Sequence, residues 1–169
     1  MTGEALRTTL ADRAAVLEAM PDHPALTAIL SSNADALHDA RFDHGELTLT
    51  IARERLLAAA ATVNAAGYSF LEDLTAVDWF PASPRFQISY HMLSHSLKDY
   101  IRLRVLLEEE DPTIESLVPV WPSANFYERE VFDLFGIRFE GHPNLRRIMM
   151  PDEWEGYPLR KDYPVEGYR

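Results

Sequence analysis

Three carboxylates and a histidine near the C-terminus are the residues whose types and spacing invite chemistry. Glu128, Glu130 and Asp133 lie on one short stretch with Arg129 among them. Neighbouring carboxylates can act as general acid and base when burial drives their pKa values apart. Charges three or four apart also make an ordinary solvated or partner-facing helix side holding one internal ion pair, and that plainer reading is the one favoured here. His142 sits in Gly141-His142-Pro143, a turn-forming context. It is open to use as a ligand, as a base, or as a turn residue that hydrogen-bonds its neighbours. His91 and His95 are four apart, a spacing that suits a metal only on a helix. Here the first falls in a strand pattern and the second in a turn, with no His-Glu-x-x-His run, so no metal site is expected.

The bulk composition narrows the classes. A chain of 169 residues fits one domain with room for its own core. Its net charge of -11 argues against nucleic acid and against direct docking on anionic lipid. Residues 1–123 hold 9 basic against 18 acidic side chains, whereas residues 124–169 hold 7 against 9. The acidity therefore lies in the body, and the tail is nearly balanced. With no cysteine, disulfides, thiolate zinc, Cys-ligated iron–sulfur clusters and Cys nucleophiles are excluded. There is no dinucleotide fingerprint, phosphate loop or Gly-x-Ser-x-Gly elbow. Met1 to Leu10 lacks a signal-peptide apolar core, and no run approaches a bilayer span, so a soluble or peripheral protein is expected.

The elements that must position these residues follow from periodicity. Leu6, Leu10, Ala14 and Leu17 recur at helical spacing up to Pro21, and a second helix is expected over Pro24–Ser31. The turn Asp43-His44-Gly45 separates a strand at about 36–42 from the alternating Leu47, Leu49 and Ile51. Arg53–Ala66 predicts a helix with Leu56, Ala60 and Val63 inward and Gly67 at its end. A strand is expected within Tyr68–Trp79. A strong hairpin follows, with Phe86, Ile88, Tyr90 and Met92 alternating against Ile101, Leu103, Val105 and Leu107. A last helix is expected over 123–135, with Tyr127, Val131, Leu134 and Phe135 buried, Ser123 as its cap and Gly136 as its stop. The fold class is α+β: a mixed, mainly antiparallel sheet with helices packed on it, plus an extended C-terminal segment. The expected division is an N-terminal helical segment (1–34), a core domain (35–120), and a helix plus partner-binding tail (121–169).

That tail is unusual. Ten of the eighteen aromatic residues fall in the last 49 positions, interrupted by Pro122, Pro143, Pro151, Pro158 and Pro164. An aromatic-rich segment barred by proline from regular structure is expected to lie along something.

The order of residues goes further. Trp121-Pro122 precedes Ala124-Asn125-Phe126-Tyr127-Glu128-Arg129-Glu130-Val131-Phe132-Asp133-Leu134-Phe135-Gly136-Ile137. Phe139-Glu140-Gly141-His142-Pro143, Leu145-Arg146-Arg147-Ile148 and Pro158-Leu159-Arg160-Lys161-Asp162-Tyr163-Pro164 follow. These linked blocks closely resemble the C-type subunit of the bacterial proton-pumping NADH:quinone oxidoreductase, respiratory complex I. Asp73-Leu74-Thr75-Ala76-Val77-Asp78-Trp79 adds a weaker match. Phe126 stands where tryptophan is frequent, and Met149-Met150 where leucines are usual, both conservative of bulk. Residues 1–34 match nothing. Ending soon after Pro164, the chain is expected to be the form not fused to the quinone-chamber subunit.

The resemblance implies a peripheral-arm subunit that holds no flavin, iron–sulfur cluster, metal or catalytic residue of its own, while the whole complex uses FMN, iron–sulfur clusters and quinone. It implies packing against the quinone-chamber subunit, near cluster-bearing subunits, at the cytoplasmic face of the membrane and without direct insertion. On this reading Trp121, Phe126, Phe139, Trp154 and Tyr163 are apolar anchors, and Arg147, Arg160 and Lys161 pair with partner groups. Glu128, Arg129, Glu130, Asp133, His142 and Asp162 complete the expected interface, with Glu128 and Asp133 open to holding the tail to the chain's own helix instead. A related membrane-bound hydrogenase or quinone reductase is the nearest alternative. A free-standing acid–base enzyme using Glu128, Glu130 and His142 is the more distant one.

Overall fold

A computed structural model describes residues 9–167. Five strands form the central sheet: β1 (Leu37–Asp43), β2 (Glu46–Ile51), β3 (Phe70–Asp78), β4 (Phe86–Ser94) and β5 (Asp99–Leu107). Their spatial order is β1-β2-β5-β4-β3. Every pairing is antiparallel except β2–β5, which runs parallel because the chain leaves β2, crosses a helix and the β3–β4 hairpin, and only then returns. The sheet is thus mixed and mainly antiparallel, as its sequence pattern predicts.

Alternation decides which face is the core. Ile88, Tyr90, Met92, Ile101, Leu103 and Val105 are fully buried on one side. Against that face pack α1 (Arg13–Ala19), α2 (Pro24–Ser32), α3 (Leu56–Ala65) and α4 (Ala124–Phe135), which give Val16, Leu26, Ile29, Leu56, Val63, Ala124 and Val131 to the same hydrophobic cluster. The three expected segments therefore share one core. The other face alternates Thr, Arg, Ser and His, and no helix among the described residues covers it.

Two local expectations change. Leu10 is not helical; it forms a bridge with Phe42 of β1, and α1 begins only after Asp12 caps Ala15 with its side chain. The spacing that suggested one longer helix joins a strand-like residue to a short helix; Leu6 lies outside the described residues. Ser123 makes no side-chain cap on α4, because its own backbone is already helical.

The tail departs furthest from an extended segment. After Gly136 it forms β7 (Arg138–Glu140), which pairs in parallel with β6 (Thr113–Glu115). It then runs through successive turns and returns to the body, where the Leu159 N–H donates to the Leu134 carbonyl at 3.1 Å.

Candidate functional site

The residues singled out by sequence converge where α4 meets the tail and the β3–β4 turn. Helix α4 is more sharply amphipathic than α2 or α3, yet two of its carboxylates lie on the inner side. Glu128 and Asp133 are both fully buried, and Arg129 nearly so. The expectation of a solvated or partner-facing charged side holds for Glu130 only as to exposure and is corrected for the other three, and Arg129 forms no ion pair with its helix neighbours among the described residues. Burial of a bare carboxylate is costly, so each acid must be matched, and each is matched by a different segment.

Asp133 is the hub. One carboxylate oxygen takes a hydrogen bond from Arg147 Nη1 at 2.5 Å; the other accepts the backbone N–H groups of Ile148, Met149 and Met150 at 2.9, 2.7 and 2.9 Å. Three successive amides aimed at one oxygen form an anion-binding nest. Burial alone would raise the Asp133 pKa. The Met150 amide, Arg147 and the other two amides outweigh it and hold the carboxyl below its usual range. Arg147 also reaches onward, donating Nη2 to the carbonyls of Trp154 and Gly156. The stretch 147–156 is therefore strung on one arginine. The pairing of Arg147 with a partner carboxylate is corrected: it pairs with Asp133, on α4 of the same chain.

Below this, Gly136 ends α4 at φ +74°, and a Cβ there would lie 2.5 Å from the Tyr157 ring. The position needs glycine both for its left-handed backbone and for the close approach of the ring. Arg160 lies over the Phe86 ring (5.1 Å) and the Tyr157 ring (4.7 Å) and donates to the Phe135 carbonyl at 2.6 Å. It too is engaged within the chain.

A second clasp has no counterpart among the sequence expectations. Arg85, immediately before β4, is 1% exposed. Its Nε and Nη2 fork onto Asp78 at 3.0 and 2.8 Å, the bidentate geometry only guanidinium offers. It also holds Asp162 of the tail (2.6 Å) and Glu109 (2.5 Å). The Lys161 backbone N–H donates to Asp78 at 2.8 Å, while the lysine side chain is exposed. The only sequence signal is an arginine set between Pro84 and Phe86, which nothing distinguishes from a hairpin surface residue.

Glu128 makes a third, smaller lock. It accepts the Ser116 hydroxyl and the Leu117 N–H, both at 2.6 Å, and so fixes the loop before α4. Burial dominates these two bonds and pushes its pKa up to about 7 from 4.5. A carboxyl whose folded-state pKa is raised binds its proton more tightly when folded. Its contribution is thus complete below about pH 4.5 and lost as pH rises through about 7, an effect of about 3 kcal/mol. Urea unfolding of wild type and Glu128→Gln from pH 5 to 8 should show their stability difference changing by about that amount. A difference that stays constant over this range would remove burial as the dominant influence on Glu128.

The remaining candidates disperse. Trp121 (3% exposed) and Phe139 (3%) belong to the chain's own core, so as partner anchors they are corrected. Phe126 (63%), Trp154 (38%) and Glu130 stay at the surface. Arg129 donates to the carbonyls of Arg146 and Arg147 and lies over the Phe126 ring. The Tyr163 hydroxyl, half-buried, donates to the Glu155 carbonyl. His142 Nδ1 accepts the Asn144 N–H, which leaves Nε2 as the donor to the Asn125 carbonyl. It is the hydrogen-bonding turn residue among the three readings its sequence context allowed. Glu128, Glu130 and His142 do not form an acid–base constellation: one acid is sealed, one faces water, and the imidazole uses both nitrogens. No group of three or more His, Asp or Glu side chains suited to a metal occurs among the described residues.

Comparison with known proteins places this arrangement. The family described as "Respiratory-chain NADH dehydrogenase, 30 Kd subunit" matches residues 49–169. The chain is 46% identical over 135 residues to the C-type subunit of NADH-quinone oxidoreductase from Citrifermentans bemidjiense, covering 79% of this chain and 84% of that protein. It is 43% identical over 148 residues to the protein of the same name from Roseiflexus castenholzii, covering 85% of each. A solved structure described as "Nqo5 of the trypsin-resistant fragment (1-134)" is 41% identical, with a TM-score of 0.55, and covers 60% of this chain and 83% of that one. A component of a membrane-bound sulfane sulfur reductase shares the fold at a TM-score of 0.71 and 22% identity, over 83% of this chain and 84% of that one. The chain belongs to the respiratory-chain NADH dehydrogenase 30 Kd subunit family.

Proposed function

We propose that the chain is a non-redox building subunit of a proton-translocating NADH:quinone oxidoreductase. In this role it seats against the subunit that forms the quinone chamber, close to iron–sulfur subunits of the peripheral arm. It is held at the cytoplasmic face of the membrane through those partners. It binds no flavin, cluster or metal and contributes no catalytic residue; FMN, iron–sulfur clusters and quinone belong to its neighbours.

One observation carries the reading: the two buried acids of α4, Glu128 and Asp133, are spent on architecture. Asp133 is saturated by an arginine and three amides, and Glu128 by a hydroxyl and an amide. Groups committed in this way build a rigid body, with little left for proton transfer at a substrate. The acid–base enzyme reading loses Glu128 and His142 to such bonds, and Glu130 stands in water apart from both. The names of the 40–46% identical relatives favour this complex over a hydrogenase.

No helix of the described residues is long and apolar enough to cross a membrane, so the proposed attachment runs through partner proteins. The test is purification of the tagged chain from mildly solubilised membranes, with identification of co-purifying subunits and assay of bound flavin, iron and quinone. The expected result is a complex with NADH:quinone activity that loses its quinone-reducing module when the chain is deleted, and an isolated chain free of redox groups. A tightly bound cofactor in the isolated chain, or full activity without it, would defeat the proposal.

A further inference from the structure

The sheet face opposite the helices has two unlike halves. Across its middle the charges are satisfied internally: Arg102 donates to Glu46 at 2.6 Å and to His91 at 2.7 Å, and Arg104 donates to Thr50. At the end where β3 finishes, register places Val77, Gln87 and Leu106 in one row. Leu106 is 39% exposed, and just beyond it Trp79 and Phe80 are 52% and 43% exposed. Large aromatics standing together in water at a strand end mark an interaction site more often than solitary exposed residues do.

The surroundings state what would fit. The turn Glu108–Asp111 carries four acids in succession and is tied to the aromatic turn by the Ser83 hydroxyl, which donates to Glu108 at 2.6 Å. Glu109 pairs with Arg85 and Asp111 with Arg53. Glu108 and Glu110 have no ion pair among the described residues. Arg85 supports the Phe80 ring from beneath at 4.9 Å, so the aromatic turn is held in place rather than free to fold inward.

We propose that Trp79, Phe80 and Leu106 form a docking surface for a protein partner presenting an apolar cleft rimmed by Lys or Arg. Like-charge repulsion disfavours a second copy of this chain, since a two-fold contact would bring acidic turns together. The same acids repel anionic lipid. This surface shares no residue with the Asp133–Arg147 clasp and adjoins the second clasp through Arg85 beneath Phe80, and it rests on the reading that the chain works within a multisubunit assembly.

Hydroxyl-radical footprinting of the wild-type chain, free and in the purified assembly, tests it, with buried Trp121 as the internal control. Trp79 oxidation should fall at least about fivefold on assembly, as expected for a residue moved into a desolvated interface centre. Glu110→Lys should weaken recombination with the remaining subunits by about tenfold, and rising salt should shrink that difference. An assembly in which Trp79 reacts as fast as in the free chain overturns the surface alone. Protection that grows with chain concentration and needs no partner overturns it in favour of self-association. A chain that emerges from cells unaccompanied overturns the assembly reading and this surface together.

Discussion

Asp133→Ala is expected to lower folding stability by about 3–5 kcal/mol, the usual cost of leaving a buried charge and its donors without their partner. The carboxylate is inaccessible and receives four hydrogen bonds, three of them from consecutive amides. Arg147 would keep its three carbonyl acceptors, on residue 133, Trp154 and Gly156, but lose its counter-ion. The loss should be local before it is global. Residues 147–156 contain no helix or strand and depend on this one acid, so trypsin should cut after Arg146 or Arg147 well before the sheet unfolds. Asp133→Asn keeps the shape and one acceptor oxygen, and should lose roughly half as much. Urea unfolding followed by far-ultraviolet dichroism, alongside timed proteolysis, reads both quantities. If Asp133→Ala stays within about 1 kcal/mol of wild type, the buried acid is not what fastens the tail.

The same residue shows where sequence reading succeeds and where it stops. The β4–β5 hairpin is legible because alternation has a period of two and the strands keep it from Phe86 to Met92 and from Ile101 to Val105. Helix α2 and the end of α4 are legible because Pro24 and Gly136 act on their own backbone. Leu10 misleads because four-residue spacing describes a helix equally well whether or not the chain bends between its members. The clasp is only half legible. A role for Asp133 in holding the tail to its own helix can be entertained from sequence, but its acceptor role toward amides 15 to 17 positions away has no periodic trace. Arg85 leaves none at all, since its partner in the tail lies 77 residues further on. Aromatic richness marks the tail without assigning its residues. Trp121 and Phe139 serve the chain's own core, while Phe126 and Trp154 face outward, and composition alone does not separate the two.

The largest test of the second clasp is a double-mutant cycle at Asp78 and Arg85. Arg85→Met should cost about 3–5 kcal/mol, because it strands the Asp78 carboxylate in the interior with only the Phe80 and Lys161 amides to satisfy it. Combining it with Asp78→Leu should recover much of that loss, since a buried ion pair replaced by apolar groups of similar size is often neutral. The exposed partners Glu109 and Asp162 add little to global stability, being half in water. The tail should respond differently. The double variant lacks both the acceptor for the Lys161 amide and the cation that holds Asp162, so cleavage after Arg160 or Lys161 should stay fast even as the urea midpoint recovers. Acid offers a second handle on the wild type. Burial would raise the Asp78 pKa, but the Arg85 fork and the two amides outweigh it and lower the pKa to about 2. The contribution, about 2 kcal/mol, is therefore whole above about pH 4 and lost as pH falls through about 2. Stability restored together with a protected tail in the double variant would mean that Asp78 and Arg85 brace the hairpin alone, and that residues 157–164 are held by Arg160 and Tyr157 without them.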